Sequence, residues 1–75
     1  MALNHELPVL VTLARISHRF PGNKAGMQDL VDKTLESEEA RDIARVLMEY
    51  PERPSPIRDR YKGKIAAIKE LAGVG

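Results

Sequence analysis

Apolar residues recur three and four positions apart along almost the whole chain. They run as Val9, Leu13, Ile16 and Phe20; Met27, Leu30, Val31 and Leu35; Ala40, Ile43, Ala44, Leu47 and Met48; and Ile57, Tyr61, Ile65, Ile68 and Ala72. That spacing gathers each group on one side of an α-helix. A sheet would need alternation and a richer supply of β-branched and aromatic residues, yet aromatics make up only 4% of the chain and no segment alternates. The pattern predicts an all-α fold, a compact bundle of four short helices in one domain spanning residues 1–75, with helices over about residues 8–19, 25–35, 38–49 and 56–72.

Helix boundaries follow from residues that cannot continue a helix. Phe20-Pro21-Gly22-Asn23 closes the first segment, whose inward stripe is Val9, Leu13, Ile16 and Phe20 and whose polar face is Thr12, Arg15 and Arg19. At about 100° per residue the stripes of the second and third segments differ in phase by roughly 150°, so one straight helix cannot bury both. A break at residues 34–37 follows, with Ser37 as N-cap and Glu38 and Glu39 at the positive end of the next dipole. Tyr50-Pro51-Glu52-Arg53-Pro54-Ser55-Pro56 then forms a stiff connector. Ser55 is the expected cap of the last helix and Pro56 its first residue. Gly63 inside that helix costs about 1 kcal/mol against Ala, and Gly73 ends it.

A chain of 75 residues buries only roughly 60% of its unfolded surface, which leaves a marginal core and makes a homodimer a reasonable way to cover its faces. The lack of Cys excludes disulfides and Cys-based zinc or Fe–S sites. No apolar run approaches the roughly 20 residues of a membrane span, and residues 1–6 lack the features of a secretory signal. The expectation is a soluble, unprocessed cytoplasmic chain with no membrane association.

Nucleophilic catalysis needs a nucleophile, a base and an orienting group. The candidate nucleophiles are Ser17, Ser37, Ser55, Thr12 and Thr34, and the candidate bases are His5 and His18. Ser17 and His18 are neighbours, but successive helical residues point about 100° apart. The two histidines stand far from any metal-binding spacing. The acidic run Glu36, Glu38, Glu39 and Asp42 lacks the alternation and central Gly of a calcium loop and reads as a solvated helix start. Pro21-Gly22-Asn23-Lys24-Ala25-Gly26 has too few glycines and no preceding strand for a phosphate cradle. Pro51-Glu52-Arg53-Pro54 matches the loose PxxP pattern, but such matches are common by chance and the connector role explains these prolines fully. These readings predict a protein that is not an enzyme and carries no cofactor or metal.

Charge is segregated. Residues 1–24 carry a net +2, residues 25–52 a net −5 from three basic and eight acidic side chains, and residues 53–75 a net +4 from six basic and two acidic ones. The acidic middle and basic end either neutralise each other within the fold or serve as docking surfaces. In the last helix Arg58, Lys62 and Lys69 lie along one flank of the apolar stripe and Arg60 and Lys64 along the other, with Tyr61 between them. An aromatic among cations is the composition of an interface hot spot. The expected contact residues are Arg58, Arg60, Tyr61, Lys62, Lys64 and Lys69.

The leading expectation is a small interaction module of the kind mobile elements such as bacteriophages encode, acting as regulator, adaptor or inhibitor of a larger cytoplasmic protein. The second is a nucleic-acid-binding transcriptional regulator using the same basic helix, and the third a structural subunit of a larger assembly. The acidic face from Glu36 to Asp42 is the competing contact surface. Ile68-Lys69-Glu70-Leu71-Ala72-Gly73-Val74 resembles the first helix and turn of a helix-turn-helix, although Lys69 stands where that motif packs a small residue.

Overall fold

Five helices follow one another in the computed structural model, which describes residues 2–49 and 53–74: α1 (Ala2–Arg19), α2 (Lys24–Thr34), α3 (Glu38–Met48), α4 (Pro56–Arg60) and α5 (Lys62–Ala72). The fold is all-α. Helix α1 lies between α3 and α5 and packs on both, while α2 and α4 lean on α3. The core joins Leu10, Leu13 and Ala14 of α1 to Met27 and Val31 of α2, with Leu35 just beyond α2. Ala40, Ile43, Ala44, Val46, Leu47 and Met48 of α3 and Ile65, Ile68 and Ala72 of α5 complete it. Each large apolar side chain sealed there contributes about 1.5–3 kcal/mol, and alanines at the helix contacts let the axes approach closely.

The expected caps are present. The Ser37 hydroxyl accepts from the Ala40 N–H at 3.1 Å, and the Ser55 hydroxyl accepts from the Arg58 N–H at 3.0 Å. Gly73 takes the left-handed conformation at φ 77°. The Val74 and Gly73 N–H groups then bond back to Lys69 and Glu70, each at 3.0 Å, in a Schellman turn that leaves Val74 against the core.

Three expectations need correction. First, α1 begins at Ala2 rather than near residue 8, so Pro8 lies inside it. An interior Pro loses one hydrogen bond and costs about 3 kcal/mol. Here the lost acceptor belongs to exposed Asn4, where water can serve it, and Glu6 ties the preceding turn to the start of α3.

Second, the buried face of α1 is Glu6, Leu10, Leu13, Ala14 and Ser17. It is turned by roughly 75° from the stripe read off the apolar residues, at about 100° per residue. Val9 and Ile16 are half-buried, and Phe20 is 60% exposed. Two polar residues on the inner face had shifted the apparent stripe.

Third, the last helix is interrupted. At Tyr61 the backbone relaxes to φ −109° and ψ 20°, although Tyr61 N–H still bonds Ile57 and Ile65 N–H bonds Tyr61. A Cβ on Gly63 would meet nothing within 4 Å, so no crowding requires that glycine. The connector residues Tyr50, Pro51 and Glu52, and with them half of the PxxP match, lie outside the described residues.

Candidate partner-binding surfaces

The joint between α4 and α5 brings part of the expected contact set together. Ser55 and Pro56 start α4 at a defined point, and one turn later Tyr61 lies half-buried against the core. The Arg60 guanidinium stands 5.3 Å and the Lys64 ammonium 5.7 Å from the centre of its ring. Both are within cation–π range. Lys64 also pairs with Glu39 of α3, which ties the basic helix to the acidic middle. Lys62 is exposed beside this cluster.

Two residues of the set have other roles. The Arg58 guanidinium donates to the Arg53 carbonyl at 2.9 Å and so holds the end of the connector. Lys69 lies about two turns beyond Lys62, half-buried beside a hollow that Ser17, His18 and Glu49 also line. It is not part of the Tyr61 cluster.

The acidic run is partly used inside the fold. Asp42 pairs with Arg45 at 3.4 Å and Glu39 with Lys64, while Glu36 and Glu38 are exposed. A further carboxylate, Glu6 of α1, dominates this region. It is 6% exposed. Its Oε1 accepts the backbone N–H groups of Ser37 at 3.0 Å and Glu36 at 3.2 Å, and its Oε2 accepts the Ser37 hydroxyl at 3.2 Å. Since that hydroxyl in turn accepts from Ala40, a relay runs from the first turn of α3 to the Glu6 carboxylate. Charge-assisted bonds of this kind are stronger than neutral ones.

The opposite end of α1 holds a second concave surface that the sequence reading missed. A cleft of about 650 Å³ opens between the C-terminal ends of α1 and α5. Arg15 spans it, donating through Nε to the Ala72 carbonyl at 3.3 Å. Ile16 and Val74 form its apolar wall, with His18, Arg19 and exposed Phe20 at its rim. The available signal was the position of Phe20 directly before Pro21-Gly22, where the helix has already ended.

Ser17 places its hydroxyl on the Ala14 carbonyl at 3.1 Å inside the fold, and His5 and His18 are both exposed. Asn23 precedes α2 without a side-chain cap bond, and its side chain lies 3.0 Å from where a Cβ on Gly26 would stand. Among the described residues no group of three or more His, Asp or Glu side chains is placed to hold a metal ion, and no helix is long and apolar enough to cross a membrane. No protein-family model, curated protein or solved structure matches this chain.

Proposed function

We propose that this chain is a small non-enzymatic interaction module that acts in the cytoplasm as regulator, adaptor or inhibitor of a larger protein, by covering part of that protein's surface. The supporting observation is the corner at Tyr61. There an aromatic ring anchored on the core is flanked by Arg60 and Lys64, with Lys62 alongside. Among the described residues Arg60 and Lys62 have no carboxylate partner. Ordering Tyr61 costs little on binding because the ring is already held, and aromatic and Arg side chains carry much of the energy of interfaces.

The test is affinity capture of the tagged protein from a lysate of its native cell, split into nuclease-treated and untreated halves, with the Arg60→Glu/Lys62→Glu variant in parallel. The expected result is one protein at fixed stoichiometry that survives nuclease and is lost with the variant, whose circular dichroism is unchanged. Nucleic acid recovered with proteins that vanish on nuclease treatment overturns this reading in favour of a nucleic-acid binder. That binder would show a slope of about −0.9 in log K against log salt for each phosphate neutralised. Recovery of the chain with itself alone would make it a structural subunit.

A further inference from the structure

The cleft at the ends of α1 and α5 is separate from the Tyr61 corner, and its chemistry selects its own ligand. Among its described lining residues Arg15, His18 and Arg19 supply the charged or chargeable groups and none is acidic. Arg15 is committed through Nε to the Ala72 carbonyl. Arg19 makes no ion pair among the described residues. Phe20, just past the end of α1, projects at 60% exposure, although the core accepts every large apolar side chain of α1 from Leu7 onward at least in part. Its ring extends the partly buried apolar wall formed by Ile16 and Val74. The cleft's volume of about 650 Å³ lies within the range of ligand pockets and suits one or two side chains rather than a folded domain.

Charge decides between the anionic ligands. Two helix C-termini converge here, and each brings roughly half a negative charge. Those ends offset part of the field of the two guanidinium groups. The remaining positive potential suits isolated carboxylates, each of which a guanidinium can grip through two hydrogen bonds. A nucleic-acid strand would need a longer row of cations along its phosphates and more than one stacking ring. We infer that this cleft binds a short acidic peptide segment, with carboxylates on Arg15 and Arg19 and an apolar side chain against Ile16, Phe20 and Val74.

The experiment is a titration of the ¹⁵N-labelled full chain with a capped synthetic peptide in which Glu residues flank a Leu-Phe pair. The controls are the same peptide with Gln for every Glu and a single-stranded oligothymidylate. Amide shifts confined to residues 12–20 and 72–74 are expected, with binding weakened at least about tenfold in Arg19→Glu and in Phe20→Ala, which is about 1.4 kcal/mol. Both residues are exposed, so the variants keep the fold. The Arg60→Glu/Lys62→Glu variant should bind the peptide as well as the parent does, which separates this inference from the proposed function. Equal binding of the Gln peptide, stronger binding of the oligonucleotide, shifts centred elsewhere, or no shifts at about millimolar peptide would each overturn it. Concentration-dependent shifts at the cleft without peptide would show that a second copy fills it, and would overturn it equally.

Discussion

The two ends of α1 invert the usual placement of residues. At the N-terminal end a carboxylate, Glu6, is buried at 6% exposure with both oxygens hydrogen-bonded to the start of α3. Just past the C-terminal end an aromatic, Phe20, is 60% exposed at the rim of a basic cleft. A buried charge is costly unless it is fully hydrogen-bonded, and Glu6 meets that condition. It therefore acts as structure, completing the cap that Ser37 begins. Phe20, by contrast, contributes little to the core. A buried carboxylate thus ties one end of this helix to the start of α3, while the aromatic that follows the other end faces outward.

The largest effect should come from the middle of the helix, which sets the scale for its ends. Leu13 has no exposed surface, and Leu13→Ala should cost about 2–5 kcal/mol through lost burial and a residual cavity. In a small domain that is enough to show as partial unfolding by circular dichroism at 25 °C. A loss below about 1 kcal/mol in urea denaturation would mean that α1 is not the centre of the core.

Next comes the N-terminal end. Glu6→Ala strands two backbone N–H groups and a hydroxyl at the start of α3, and should cost about 1–3 kcal/mol. Glu6→Gln keeps an acceptor oxygen and should cost less. If Gln proves as harmful as Ala, the charge rather than the hydrogen bonds stabilises the site. The comparison can be sharpened by a double-mutant cycle with Ser37→Ala, read by urea denaturation. Because Glu6 and Ser37 share one relay, a coupling of about 0.5–2 kcal/mol is expected. Strict additivity would separate the cap from the carboxylate.

The smallest effect should be at the C-terminal end. Phe20→Ala should change stability by less than about 0.5 kcal/mol, as for surface positions generally. A loss of about 2 kcal/mol or more would return Phe20 to the core and remove the contrast between the two ends.

The charge pattern was legible in outline but not in its allocation. Net charges alone could not say whether the acidic middle neutralises the basic end, and the fold divides the answer. Glu39 takes Lys64 and Asp42 takes Arg45 within α3, while Arg60 and Lys62 have no carboxylate partner among the described residues. Arg58 looked like a contact residue because it shares a flank with Lys62, and only the position of the connector shows it gripping the Arg53 carbonyl. The cleft was invisible for a related reason. It lies between two helix ends far apart in the chain, joined by Arg15 reaching Ala72.

What the sequence determined by itself is whatever depends on neighbours within a turn or two: helical state, the caps at Ser37 and Ser55, the left-handed stop at Gly73, and the inward faces of α2 and α3. Propensity, capping and apolar periodicity are local forces. The tertiary structure decided the rotation of α1, its extension through Pro8, the burial of Glu6 and the exposure of Phe20. Each depends on which distant groups arrive opposite the residue: a carboxylate becomes a core residue only when the unpaired N–H groups of another helix are there to receive it.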